Sequence, residues 1–207
     1  MKLVFDFGGV LFQWQPAELL KRVLPERAHD DHSAAHWVGE VFQSYGGDWG
    51  DFDKGLLSAD EVVERLVRRT GLGQAEAQAI VDAVPGLLLP IEPTVALLER
   101  LRASGVPLYY LSNMPAPYAD HLERTHPFVG WFAAGIFSGR VQQSKPDPAI
   151  FALAAERFGA APEELVFLDD HPPNIDAARA AGWRALHFTD AERAERELRE
   201  LGWSGAE

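Results

Sequence analysis

Four short apolar runs, each followed by small or acidic residues, constrain the fold of this chain more than any other feature. They are LVF at 3–5, PLYYL at 107–111, LVFL at 165–168 and RALHF at 184–188. Segments with helical period accompany them, such as residues 95–102, where Leu97 and Leu101 share a face, and residues 149–158. Alternating strands and helices predict the α/β fold class: a doubly wound parallel sheet covered by helices.

Residues 14–90 break this alternation because they contain no convincing strand. Helical patterns lie instead around residues 19–24, 34–45, 61–69 and 75–84. Ser58 followed by Glu61 has the spacing of a capping box at the start of one of these helices. We therefore predict an all-helical cap, residues 14–90, inserted into an α/β core formed by residues 1–13 and 91–207.

The net charge of the chain limits the classes of partner that it could bind. It has 19 Lys and Arg against 31 Asp and Glu, a formal net charge of −12, which opposes nucleic acid because that binding depends on cations that neutralise phosphates. No apolar run approaches the roughly 18 residues of a membrane span, and the N-terminus lacks the pattern of a signal peptide. We expect a cytoplasmic protein that binds neither nucleic acid nor membrane, and the sequence leaves its oligomeric state open.

The absence of cysteine from the sequence narrows the chemistry. Disulfides, thiolate zinc sites, iron–sulfur clusters and a cysteine nucleophile are all excluded. Any metal must be held by oxygen or imidazole ligands, and a carboxylate becomes the leading candidate for a nucleophile.

Polar residues stand at the ends of three predicted strands and before one predicted helix. They are Asp6, the pair Ser112 and Asn113, the pair Asp169 and Asp170, and Lys145. Singly, each has an ordinary explanation as a turn former, a cap or a solvated charge. Ligands of doubly wound sheets bind beyond the carboxyl ends of the strands, and carboxylates crowded there cost stability unless a cation pairs with them. Together these residues therefore predict a functional site.

Phosphoryl transfer assisted by a divalent cation fits this set of side chains. Mg²⁺ takes oxygen ligands and commonly binds one or two carboxylates, water and a substrate phosphate, which suits Asp6, Asp169 and Asp170. A phosphoryl group could be held by the charge of Lys145, the hydroxyl of Ser112 and the backbone amide of Asn113. The first carboxylate can also attack phosphorus, and the resulting aspartyl phosphate divides a difficult hydrolysis into two easier steps.

Four segments in order resemble the four motifs of the haloacid dehalogenase-like hydrolase superfamily. They are FDFGGVL with Asp6, LYYLSN with Ser112, SKPDPAIF with Lys145, and FLDDHPPNIDAARAAGW with Asp169 and Asp170. The likeness covers essentially the whole predicted core and implies a Rossmann-like sheet. The helical insertion resembles the small α-helical cap type of the superfamily.

The resemblance implies a Mg²⁺-dependent phosphatase acting on a small phosphorylated metabolite. By that likeness the metal ligands are the Asp6 carboxylate, the Gly8 carbonyl and Asp170, with Asp169 acting through water, and Asn174 resembles a position that braces the metal loop. Caps of this superfamily select the substrate. We assign Trp14 to substrate binding, and the other candidate cap contributors are Gln13, Tyr45, Trp49, Phe52 and Lys54.

Gly8 departs from the usual pattern of the superfamily. Most of its phosphatases carry a second Asp at this position, which protonates the leaving alkoxide and is worth about 10²- to 10⁴-fold in rate. Three explanations stay open: a substrate with a good leaving group, a proton from His171 or a cap side chain, or a slow enzyme. A Gly here, with Asp-Asp and a following Asn in the last motif, resembles α-D-glucose-1-phosphate phosphatases and favours a sugar phosphate.

Two rival functions fit parts of the pattern. In a 2-haloacid dehalogenase Asp6 would attack carbon without a metal, and Gly8 is compatible with that reaction. The Asp169 and Asp170 pair is not, because two unneutralised carboxylates would repel an anionic haloacid. A catalytically weak phosphate-binding or regulatory protein, which kept the site but lost turnover, is the other alternative. The phosphatase is the interpretation that we favour.

Overall fold

The computed structural model describes residues 1–205. Its strands are β1 (Lys2–Phe5), β2 (Leu108–Ser112), β3 (Ala134–Phe137), β4 (Leu165–Asp169) and β5 (Arg184–His187). They form a sheet in the order β3-β2-β1-β4-β5, in which every neighbouring pair is parallel. The predicted α/β fold class is confirmed.

Strand β3 is the element that the apolar runs do not predict. Its sequence, AGIF, holds only two large apolar residues, so it lacks the continuous run typical of a buried strand. Gly135 interrupts it for a packing reason, because a Cβ at this position would collide with the ring of Tyr110 on the neighbouring strand.

Within residues 1–205 the α-helices fall into two groups along the chain. The first five lie between β1 and the next core helix: α1 (Pro16–Val23), α2 (Asp31–Phe42), α3 (Gly47–Asp53), α4 (Ala59–Thr70) and α5 (Gln74–Ala83). The rest alternate with the strands: α6 (Glu92–Ala103), α7 (Ala116–Thr125), α8 (Pro148–Arg157), α9 (Pro172–Ala180) and α10 (Ala191–Glu200).

Local signals account for where several of these helices begin and end. The Ser58 hydroxyl accepts from the backbone N–H of Glu61, whose carboxylate accepts from the N–H of Ser58, so the expected capping box starts α4. Gly71 ends that helix in the left-handed conformation. Asp147 caps α8, and Pro148 occupies its first turn.

Apolar residues of the sheet pack against helices on both faces. Leu3 and Phe5 of β1 point into a core that includes Leu97 of α6 and extends to Leu66 of α4. Val4, on the opposite face, joins a second core with Phe151 of α8 and side chains of α9. The doubly wound arrangement leaves the carboxyl ends of the strands free to carry polar groups. Among the helices of residues 1–205, none has the length and apolar character needed to cross a membrane.

Candidate active site

The parallel register of the sheet brings three acidic residues together. Phe5 of β1 pairs with Leu168 of β4, so Asp6 and Asp169 extend from neighbouring strands at the same edge. The backbone N–H of Asp6 donates to the carbonyl of Leu168 at 2.9 Å and fixes that alignment. Asp170 follows in the chain, and one carboxylate oxygen from each of the three acids lies within 4.8 Å of the others.

Lys145 places its ammonium group between two of these carboxylates. Its Nζ lies 2.8 Å from Asp6 Oδ1 and 2.7 Å from Asp169 Oδ2, and the residue is 3% exposed. Asn113 holds the Lys145 backbone, because its side chain donates to the Lys145 carbonyl and accepts from the Lys145 N–H, both at 2.8 Å. The Asn113 side chain is thereby engaged in positioning Lys145.

Hydrogen bonds fill both oxygens of Asp169. Its Oδ1 accepts from the backbone N–H of His171 at 2.8 Å and from Asn174 Nδ2 at 3.1 Å, while Oδ2 accepts from Asn174 at 3.0 Å and from Lys145 at 2.7 Å. Asp169 is fully buried. It therefore orients the lysine and the loop after β4 and has little free capacity to bind a cation directly.

The other two carboxylates keep oxygens available. Asp6 Oδ1 is paired with the Lys145 ammonium at 2.8 Å, and no other side chain among residues 1–205 forms a hydrogen bond with the Asp6 carboxylate. Asp170 lies against the backbone of Gly9, whose φ is +72°, and a Cβ at position 9 would collide with the Asp170 carboxylate. Three carboxylates and one ammonium leave two negative charges uncompensated. The oxygen donors and the residual charge fit a hard divalent cation.

The pKa values of the site reflect the same excess of negative charge. Burial raises the pKa of Asp6 and the charges of Asp169 and Asp170 add to the shift, while Lys145 opposes it. Burial and the charge of Asp169 also raise the pKa of Asp170. Burial lowers the pKa of Lys145, but the charges of Asp169 and Asp6 outweigh this effect and the net shift is upward. A bound cation would favour the ionised carboxylates.

A cavity of about 230 Å³ opens over these residues. The core side contributes polar groups that the sequence predicts: Asp6, Gly8, Ser112, Asn113, Lys145, Asp170 and Asn174. The stretch between β1 and α6 contributes Trp14, Ser44, Tyr45, Trp49, Asp53, Val84 and Leu88. Of the candidate cap contributors, Trp14, Tyr45 and Trp49 line the cavity, whereas Phe52 is buried against Trp49 and Tyr118.

A strained loop carries Tyr45 to the rim of this cavity. Gln43, Ser44 and Tyr45 have φ values of +50°, +51° and +63°, a region that residues other than glycine seldom adopt. The indole N–H of Trp14 donates to the Tyr45 hydroxyl at 2.8 Å, and the Tyr45 ring lies 6.3 Å from that of His171. Strain of this kind concentrates at functional sites, and here it places an aromatic group beside the acidic cluster.

Sequence reasoning missed two residues of the site. Gly9 is part of the first motif, but nothing in the sequence indicates that the Asp170 carboxylate occupies the space where a side chain of residue 9 would lie. Asp53 lies at the end of α3 between Phe52 and Lys54, a setting typical of a solvated helix end, yet it is 8% exposed and lines the cavity. Burial raises its pKa to about 8.

A family model for haloacid dehalogenase-like hydrolases matches residues 3–182. The chain belongs to this family. The family expected from the four motifs is therefore confirmed, and the protein is a hydrolase with the Rossmann-like core of the family.

Named relatives of this haloacid dehalogenase-like hydrolase include phosphatases. Sesquiterpene phosphatase astK of Aspergillus oryzae is 30% identical over 199 residues, 96% of this chain and 94% of that enzyme. Phosphoglycolate phosphatase of Escherichia coli is 36% identical over 92 residues, 44% of this chain and 36% of that enzyme. These relatives support a phosphatase.

A solved structure of a haloacid dehalogenase family enzyme from Bacteroides thetaiotaomicron, in complex with magnesium and inorganic phosphate, has the same fold. It superposes on the hydrolase with a TM-score of 0.71 at 22% identity, and the match covers 91% of this chain and 94% of that one.

Proposed function

We propose that the protein is a Mg²⁺-dependent phosphatase that hydrolyses a small phosphate monoester through an aspartyl phosphate on Asp6. The observation that carries the proposal is the cluster of Asp6, Asp169 and Asp170 around Lys145, at the floor of a cavity. The phosphatase names of the relatives support the reaction class.

Asp6, Asp170 and the Gly8 carbonyl are the proposed metal ligands. Asp169 would act through water, because its oxygens are already hydrogen bonded. Bound Mg²⁺ supplies positive charge that offsets the repulsion between an anionic nucleophile and a phosphoryl group. In this assignment the buried ammonium group of Lys145 binds both the Asp6 carboxylate and the phosphoryl oxygens.

The reaction has two steps at one phosphorus atom. A carboxylate oxygen of Asp6 forms a bond to phosphorus while the bond to the ester oxygen breaks, and the leaving oxygen takes up a proton to give the alcohol. Water then attacks phosphorus and loses a proton while the bond between phosphorus and the Asp6 oxygen breaks, which releases phosphate and restores the carboxylate. Lys145, the Ser112 hydroxyl and the Asn113 backbone amide are the proposed donors to the phosphoryl oxygens. Donors fixed in advance, as the Asn113 bonds to Lys145 provide, stabilise the charge of the transition state.

The organic part of the substrate would lie against the cap side of the cavity. Trp14, Trp49, Val84 and Leu88 make much of that side apolar. The wall favours an alcohol with apolar surface, whereas the glycine at position 8 favours a leaving oxygen that needs little protonation, such as that of a sugar 1-phosphate. We propose that the predicted cap, residues 14–90, makes this selection, and both substrate types belong in the test.

A screen of phosphate monoesters with Mg²⁺ tests the proposed function. It includes sugar 1-phosphates, phosphates of apolar alcohols and an aryl phosphate, with Asp6→Asn protein as the blank. We expect phosphate release that requires both Mg²⁺ and Asp6. Hydrolysis that survives removal of Mg²⁺ would favour metal-free chemistry of the dehalogenase type, and a flat result throughout would favour the phosphate-binding alternative.

A further inference from the structure

Asp53 is a buried acid that the phosphatase mechanism does not use. It ends α3, is 8% exposed and lines the cavity that contains Asp6. Burial is the one cause that raises its pKa to about 8, with no contribution from a nearby cation or hydrogen-bond donor among residues 1–205. The Asp53 carboxyl group lines the cavity without a hydrogen-bond partner among residues 1–205, so it is available to a polar group of a ligand that enters the cavity.

No neighbouring side chain among residues 1–205 forms a hydrogen bond with the Asp53 carboxyl group. The charge of Asp53 adds to the burial that raises the pKa values of Tyr45 and Tyr118, and all three residues line the cavity. The Tyr118 hydroxyl donates its proton to the Val81 carbonyl at 2.8 Å, and the Tyr45 hydroxyl accepts from Trp14. Lys145, the cation that lines the same cavity, pairs with Asp6 and Asp169.

The backbone of Asp53 is fixed against the core. Its carbonyl accepts from the buried hydroxyl of Ser138, which in turn accepts from the backbone N–H of Met114 at 2.8 Å. Gly55, with a φ of +72°, packs so closely on Gly139 that a Cβ would collide with its carbonyl. Because the C-terminal end of α3 is anchored at Asp53 and again at Gly55, the Asp53 backbone is held at a defined place in the cavity wall.

We propose that Asp53 is a specificity residue that forms a hydrogen bond with a hydroxyl group on the organic part of the substrate. This inference rests on the proposed phosphatase function and narrows its substrate class to phosphate monoesters of alcohols that carry a further hydroxyl. The phosphoryl group would occupy the Asp6 and Lys145 end, and the second hydroxyl would meet the Asp53 carboxyl group in the largely apolar cap wall.

The protonation state of Asp53 decides between a hydroxyl and an ammonium partner. With the pKa raised by burial to about 8, the carboxyl group is mainly neutral near pH 7. A neutral carboxyl group has one donor and free acceptor oxygens, which match the donor and acceptor of an alcohol. An ammonium group would instead require the ionised form that this burial disfavours.

Matched alkyl phosphates test the inference. A series of n-alkyl phosphates of increasing length is compared with the corresponding ω-hydroxyalkyl and ω-aminoalkyl phosphates for wild type, Asp53→Asn and Asp53→Leu. At the chain length that suits the cavity, we expect wild type to prefer the ω-hydroxyl compound on the order of tenfold in kcat/KM. Asp53→Leu should abolish that preference for the ω-hydroxyl compound, and Asp53→Asn should keep part of it because an amide still donates and accepts.

A control variant and a binding measurement keep the outcomes distinct. Asp51→Asn, on the same helix at a position outside the cavity lining, should leave the preference unchanged. Calorimetric titration with alkylphosphonates and ω-hydroxyalkylphosphonates measures recognition without turnover. If binding selects the hydroxyl compound through Asp53 but no phosphate ester is hydrolysed, the phosphatase proposal is wrong and the hydrogen bond from Asp53 to a ligand hydroxyl is still supported. Equal loss on every compound in Asp53→Leu, or a preference of wild type for the ω-amino series, would overturn the inference.

Discussion

The ammonium nitrogen of Lys145 lies 2.8 Å from Oδ1 of Asp6, and both residues are buried at the carboxyl edge of the sheet. Because the two groups come from separate segments of the chain, this ion pair ties Asp6, the proposed nucleophile, to the loop before α8. It also keeps a positive charge where the proposed phosphate substrate would approach the Asp6 carboxylate.

Replacing Lys145 by Met should destabilise the protein and abolish phosphatase activity. The change leaves Asp6 and Asp169 buried without their ammonium partner, and breaking a buried pair in this way costs about 3 to 5 kcal/mol. Urea unfolding at neutral pH measures the loss. The double variant with Asp6→Asn should recover part of the stability, because one of the two stranded charges is gone; strictly additive effects would contradict direct coupling.

Replacing Gly9 by Ala should weaken Mg²⁺ binding and activity by more than tenfold. The added Cβ would displace the Asp170 carboxylate, and the positive φ of residue 9 adds backbone strain of about 1 to 2 kcal/mol. Gly105→Ala is the matched control, since Gly105 has a φ of +74° but open space around its α-carbon. Both variants should lose similar stability, and only the first should lose Mg²⁺ affinity in a calorimetric titration; equal affinities would disprove the steric argument.

Introducing Asp at position 8 should raise activity selectively on poor leaving groups. A Cβ on Gly8 meets only the Cβ of Trp14, at 3.9 Å, so the backbone accepts a side chain. If the missing acid limits the first step, Gly8→Asp should speed hydrolysis of alkyl phosphates by about 10- to 10²-fold more than that of aryl phosphates. Steady-state kinetics on both classes checks this, and an equal change in the two would show that protonation of the leaving oxygen is supplied elsewhere.

Asp53 should make the protein less stable as the pH rises. Its pKa is raised from 3.8 to about 8 in the folded state by burial. At pH values between these two pKa values, Asp53 is protonated in the folded chain and ionised in the unfolded chain. Unfolding therefore releases a proton, and the free energy of unfolding falls as pH increases. The slope is at most about 1.4 kcal/mol per pH unit. The stability of Asp53→Asn relative to wild type should therefore grow between about pH 5 and pH 8. A constant difference across that window would show that Asp53 ionises at an ordinary pKa.

Much of the core site was predictable because it depends on backbone topology. Asp6, Ser112 and Asp169 come at or directly after buried strands, and parallel pairing brings such positions to one edge whatever the loops do. The same reasoning found four strands but not β3, since AGIF has no apolar run. The glycine in this strand, Gly135, is explained by the ring of Tyr110, which occupies the space of a Cβ at that position.

The cap side of the cavity was less predictable because it depends on how two parts of the chain pack. Asp53 has the sequence context of a surface residue, and only the docking of α3 on the turn at Ser138 buries it. Tyr45 was a candidate from the sequence, but its left-handed backbone was not predicted, because residues 43–45 contain no glycine and fall within a helical pattern that extends to residue 45. Both features arise from contacts between residues far apart in the chain.

A single-turnover experiment shows whether Asp6 is the nucleophile. Enzyme in excess is mixed with Mg²⁺ and the best substrate of the screen, quenched in acid and digested, and the peptides are analysed by mass spectrometry. We predict one phosphoryl group on Asp6 that requires Mg²⁺ and is absent from Asp6→Asn protein. Phosphate release that persists in Asp6→Asn, or a phosphoryl group located on another residue, would show that Asp6 is not the nucleophile.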